Sequence, residues 1–263
     1  MGTGAIVGSI DVAQVTLYVF WIFFAALLWY IRQEDRREGY PLESDVSGDY
    51  NKAPWLFVPS PKKFELPHDG GTVTVPDLEN GRDTRELAAE RTASFNGAPL
   101  VPTGTNPMLD SIGPGSWCER PDKPDQAADG EALIVPMSSI DYFSIAEGDP
   151  DPHGMAVYGL DGEIAGTVSD VWVDRAEQMI RYFEVSLDGG RSVLLPHNFV
   201  RLGKLPRSGD RVMHVKSITA AQFADVPAYN TPAIVTMLEE EKIMAYYGAG
   251  TLYATPRRAE PLL

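Results

Sequence analysis

Between Asp11 and Arg32 the chain carries no charge. Residues 12–31 read VAQVTLYVFWIFFAALLWYI, 20 residues in which only Gln14 and Thr16 are distinctly polar. At about 1.5 Å rise per residue, a helix of that length covers roughly 30 Å, the thickness of a bilayer's hydrocarbon core. A lone segment in lipid must satisfy its own backbone, so it must be helical. Trp29 and Tyr30 stand at its far end, where aromatic rings suit the membrane–water interface. Arg32, Arg36 and Arg37 follow at once. A buried helix of a soluble protein is the bland alternative, and the charge-free length argues against it. A cleaved signal peptide needs a basic start, a shorter apolar core and a small-residue cleavage site. Residues 1–11 hold no Lys or Arg, and RQEDRREGY follows the core. The segment is therefore expected to remain as an anchor, helical to about residue 39, where Gly39 can stop it. The three arginines place residues 1–11 outside and the rest of the chain in the cytoplasm.

Residues 40–130 have a different pattern. Proline recurs from Pro41 to Pro124, too densely for long helices or central strands. Apolar residues are interleaved, among them Trp55, Leu56, Phe57, Phe64, Val73, Met108 and Trp117, which a disordered linker would lack. The stretch reads as extended chain with a short hairpin around Phe64–Leu66 and Thr72–Val75. It is either draped on another protein or packed as a loop-rich subdomain on its own neighbour.

Residues 131–250 turn strand-like. Val157–Gly159, Glu163–Asp174, Met179–Leu187, Ser192–Pro196, Phe199–Leu202 and Arg211–Val215 are short β-rich runs, several separated by Asp-Gly turns. Such spacing predicts a small antiparallel barrel. A helix is expected after it, capped by Thr231, with Pro232 in its first turn, an apolar stripe of Ile234, Leu238 and Met244, and Gly248 at its end. Glu239, Glu240 and Glu241 are expected to face water, and residues 251–263 to form a loose tail.

The formal net charge of −15 changes the picture of partners. Such a surface repels phosphate backbones, so nucleic-acid binding is excluded from the reading. The single cysteine, Cys118, excludes an internal disulfide and a cysteine-based zinc site, as suits a reducing compartment. Cys118 reads as a free structural thiol. The histidines 68, 153, 197 and 214 have no metal or triad spacing and read as structural or surface groups.

FWIFFAALLWYIRQEDRREGYPLE resembles the anchor of the H subunit of purple-bacterial photosynthetic reaction centres. The similarity continues in FELPHDGGTVTVP, GPGSW, EIAGTVSDVWVDRAEQMIRYFEV and TMLEEEKIMAYYGAGTLYA, nearly the whole length in one order. The resemblance implies a single-pass protein of the bacterial inner (intracytoplasmic) membrane with a periplasmic N-terminus. Its fold would be one transmembrane α-helix, an extended Pro-rich region, and a mainly-β cytoplasmic domain holding a PRC-type barrel and one C-terminal helix. This chain alone would bind no cofactor. Its partners would be the L and M subunits, which hold bacteriochlorophyll, bacteriopheophytin, quinones and non-haem iron. Membrane lipids, a core light-harvesting antenna and a cytochrome subunit complete the surroundings that the resemblance suggests. The role would be to cap L and M and to help protons reach the secondary quinone, without enzymatic activity of its own.

Quinol formation needs protons as well as electrons, and carboxylates carry them when burial or neighbouring charge raises their pKa. The candidates are Asp170, Asp174 and Glu177 in SDVWVDRAEQM, with Arg181 beside them. The resemblance maps the proton-transfer glutamate of the family's EQM motif onto Glu177, the aspartate of WVD onto Asp174, and the following arginine onto Arg181. From the residues alone, a solvated hairpin turn is the plainer alternative. Some members collect protons on a pair of surface histidines. The matching segment here, DQAADGEALIVPM, has none, and Asp129 and Glu131 stand there instead. On the anchor, Gln14, Thr16 and the pair Ala25–Ala26 are expected contacts for a partner's helices. Two other classes compete: a membrane-tethered PRC-barrel adaptor for another partner, and a lone membrane-anchored enzyme, which the missing nucleophile–base and metal patterns disfavour.

Overall fold

In a computed structural model of the chain, the structure describes residues 5–7, 10–40, 59–68, 70–77, 85–95 and 97–259. Pro41, Pro54, Trp55, Leu56 and Phe57 of the Pro-rich stretch lie outside the described residues. Two compact units divide the chain, Met1–Thr84 and Arg85–Leu263.

The first unit begins with the short strands β1 (Ala5–Val7) and β2 (Ile10–Asp11), then α1 (Val12–Glu34). Asp11 caps α1 by accepting the Gln14 amide at 2.7 Å. No residue of α1 is buried, and Trp21, Ile22 and Phe23 stand more than half exposed. It is the one helix among the described residues long and apolar enough to cross a membrane. Gln14 and Thr16 are already engaged within it: Gln14 donates to the Tyr18 hydroxyl, and Thr16 to the Val12 carbonyl. A 3₁₀ turn, Asp35–Arg37, closes the helix, and Gly39 takes a left-handed φ of 72°. The expected hairpin forms from β3 (Lys62–Glu65) and β4 (Thr72–Val75), with Phe64 opposite Val73. Arg37 ties it to the helix. Its guanidinium grips Glu34 at 2.6 and 2.8 Å and donates to the carbonyls of Ser60 and Val75. Trp29, Tyr30 and Arg32 are exposed, and Arg36 lies over the Tyr40 ring.

The second unit starts inside the Pro-rich stretch. It contains the hairpin β5 (Ala89–Arg91) and β6 (Leu100–Pro102). The strands of its main sheet are β7 (Ile134–Pro136), β8 (Ala156–Tyr158), β9 (Ile164–Asp174), β10 (Met179–Leu187), β11 (Ser192–Pro196), β12 (Val200–Lys204) and β13 (Arg211–Val215). These match the β-rich runs of the sequence closely. Their order is β11-β10-β9-β8-β13-β12, with β7 also on β9. Two features depart from a closed antiparallel barrel. β8 and β13 pair in parallel, and the edge strands β11 and β12 do not pair with each other. The edges are nonetheless joined by the three-residue turn His197–Phe199, which follows Pro196, a residue with no amide to donate. Trp172, Val171, Val185, Leu194, Leu195, Met213 and Ile218 fill the core.

The last helix, α2, runs Met237–Tyr253, later at both ends than expected. Ala233 has φ 63°, which no right-handed helix includes, so Thr231 caps nothing and residues 231–234 form a turn. Thr236 is the true N-cap, exchanging hydrogen bonds with Glu239. Gly248 does not end the helix. A Cβ there would lie 2.6 Å from the Pro114 carbonyl oxygen, so glycine lets the 113–115 turn approach α2. This part of the Pro-rich stretch thus packs on its own domain, with Met108 and Ile112 buried and both Arg85 and Lys242 over the Trp117 ring. The tail is also less loose than expected: Arg258 donates to the carbonyls of Lys216, Ser217 and Gly250.

Candidate functional site

The predicted proton-transfer residues of the β9–β10 hairpin divide into two groups, and bulges in that pair set the division. Ile180 faces Val173 and Tyr182 faces Trp172, which leaves Arg181 unpaired as an extra residue on β10. A bulge of this kind re-aims a side chain. Arg181 consequently reaches back over the hairpin turn, its Nε 3.7 Å from Asp174 Oδ2 and its Nη1 3.9 Å from Glu177 Oε2. These are charge contacts, longer than hydrogen bonds.

Asp174 ends β9 and is only 2% exposed. Its Oδ1 accepts the amides of Ala176 and Glu177, both at 2.9 Å, and its carbonyl accepts the Gln178 amide. Asp174 therefore closes the turn that presents Glu177, whose side chain is 63% exposed. Arg175 points the other way. It donates to the Ala132 carbonyl and the Tyr142 hydroxyl and pairs with Asp129. That guanidinium holds the Asp129 carboxyl below the usual carboxylate range. Glu131 is bound to the same loop through its amide, which donates to Asp129.

Asp170 belongs to a second group. Ser169 is the extra residue of the other bulge. Asp170 accepts the Ser138 hydroxyl and the Val171 amide, and His153 Nε2 lies 3.7 Å away. His153 Nδ1 contacts Asp151 at 2.6 Å, so this histidine stands between two carboxylates rather than alone.

A further carboxyl, not among the residues predicted from sequence, lies near Arg181. Glu240, expected in water, is largely buried and accepts the Tyr182 hydroxyl at 2.6 Å. Burial raises the pKa of both. On Glu240 the Tyr182 hydrogen bond and the charges of Arg181 and Arg120 work against that rise. Glu239 is buried as well, accepting from Asn230 and Thr236, while Glu241 pairs with Arg120 at the rim. The signal was present in the sequence: Thr-x-x-Glu at 236–239 is a capping box, and a helix starting at 237 puts Glu240, Ile243 and Tyr247 on one face. Tyr229 also lines the interior against Trp172, and burial with the nearby Glu184 pushes it up to about 12.

Arg181 thus lies close to Asp174 and Glu177, and its charge also acts on Glu240. Among the described residues no group of three or more His, Cys, Asp or Glu side chains is placed to hold a metal ion.

Two family models match the chain. Residues 4–139 match the photosynthetic reaction centre H-chain N-terminal region, and residues 145–221 match the PRC-barrel domain. The first match alone takes in more than half of the sequence.

Proposed function

The chain belongs to the photosynthetic reaction centre H-chain family, and from that membership we propose that it caps the cytoplasmic face of the L and M subunits and delivers protons to the secondary quinone. It acts there as a non-pigment subunit and not as an enzyme in its own right. The bacteriochlorophyll, bacteriopheophytin, quinones and non-haem iron reside in L and M. The match over residues 4–139 carries this reading, because it includes the anchor and the Pro-rich stretch together. The exposure of α1 supports it too: none of its residues is buried, and an apolar helix left uncovered among the described residues suits packing against other subunits' helices. Its arginines put residues 1–11 in the periplasm and the barrel domain in the cytoplasm, where the protons are taken up.

In this reading Glu177 exchanges protons with the quinone side and Arg181 couples it to Asp174 and to Glu240. Asp170 with His153 forms a separate group nearer Ser138. Asp129, held ionised by Arg175, serves the loop's structure more than proton collection near neutrality; Glu131 remains the freer carboxylate of that segment. A membrane-tethered adaptor for some other partner is the competing reading, and it gives no reason for the anchor and Pro-rich region to match the family. Extraction of the chain from membranes in mild detergent, followed by an absorption spectrum, separates the two. Co-purifying bacteriochlorophyll and bacteriopheophytin bands are expected; their absence removes the proposal.

A further inference from the structure

A cavity of about 450 Å³ opens in the barrel domain between the β11–β12 turn, the end of β13 and the end of α2. Asn198, Arg201, Lys216, Ser217, Thr251 and Arg258 supply its polar lining. The chain carries 37 acidic and 22 basic residues, yet among the described residues the lining has three cations and no carboxylate. Arg201 and Lys216 are exposed, and neither has a carboxylate partner among the described residues. Arg258 is fixed in place by its three carbonyl acceptors. One of these, Gly250, belongs to the last turn of α2, whose negative dipole end would repel an anion. The guanidinium covers that end and offsets it. Beside the cavity the Ser217 hydroxyl is buried, with no hydrogen-bond partner among the described residues.

We propose that this cavity binds a phosphate-type anion, free or as a lipid headgroup. Cations converging from three segments suit an oxyanion with several acceptor oxygens. Arg258 arrives pre-organised, so little entropy is lost on binding, while Arg201 and Lys216 close on the ligand. The proposal does not depend on the chain's role toward quinone.

The test uses the full chain in a non-ionic detergent at low ionic strength, with calorimetric titration of inorganic phosphate. A second arm compares mixed micelles holding phosphatidylglycerol with micelles holding phosphatidylcholine. The variant is Arg201→Ala with Lys216→Ala, two exposed positions, and its melting temperature checks the fold. Saturable phosphate binding that weakens about tenfold or more in the variant supports a free-anion site. Phosphatidylglycerol preference lost in the variant, without binding of free phosphate, supports a headgroup site. Binding equal in both proteins, or absent from the wild type in both arms, overturns the proposal and leaves the patch to an acidic protein surface.

Discussion

The Tyr182 hydroxyl donates to Glu240 at 2.6 Å, and this bond ties the inner face of β10 to the first turn of α2. It also places a carboxyl of raised proton affinity beside Arg181, the residue that contacts Asp174 and Glu177.

The stability of the domain should therefore depend on pH through Glu240. Its folded pKa lies above the ordinary 4.5, chiefly through burial. Between those two values the folded state binds more protons than the unfolded state, so stability falls as pH rises through the window. Glu240→Gln should flatten that slope and stabilise the protein above it. Tyr182→Phe should cost about 1–3 kcal/mol, because a buried acceptor loses its donor. It should also push Glu240 higher still. Melting curves followed from pH 4.5 to 8 check both expectations. A wild-type curve with the same slope as Glu240→Gln contradicts them.

Asp174 has a structural duty separable from a proton-carrying one. Asp174→Ala strips acceptors from two turn amides and should destabilise by about 1–3 kcal/mol. Asp174→Asn keeps an acceptor at Oδ1 and should melt close to wild type, yet slow proton delivery because an amide does not carry protons. Denaturation and flash kinetics on the same two variants read the duties apart. Unchanged delivery in Asp174→Asn would leave this residue as a turn closure only.

Gly250 tests the packing of α2. Alanine in a helix interior is ordinarily favoured over glycine by about 1 kcal/mol. Here the added Cβ would meet Ile218 Cγ2 at 2.4 Å and the Ser217 carbonyl oxygen at 2.6 Å. Overpacking of that kind costs about 1–3 kcal/mol. Gly250→Ala should lower the melting temperature, and a rise would contradict the packing described for α2.

The elements that sequence revealed best are those whose own pattern decides them. α1 is apolar on every side and needs no neighbour to form, and the β9–β10 runs alternate strongly enough to place their ends within a residue or two. What stayed hidden depends on long-range contacts. Gly248 looks like a stop signal until the 113–115 turn is seen against the helix. Glu240 looks solvated until β10 covers it. Spacing and resemblance single out Asp174 and Glu177 as candidates, but the bulge that turns Arg181 toward both leaves no mark in residue types. His153 looked isolated because its second neighbour, Asp170, is 17 positions away.

Proton delivery through Glu177 is the centre of the account. Its most direct test is Glu177→Gln in the intact pigment-bearing complex, with proton uptake and secondary-quinone reduction recorded after the second of two flashes. Unchanged pigment absorption, showing normal assembly, is expected, with a second reduction slowed on the order of tenfold or more. Wild-type kinetics in that variant would contradict it and reduce Glu177 to a solvated residue of a hairpin turn.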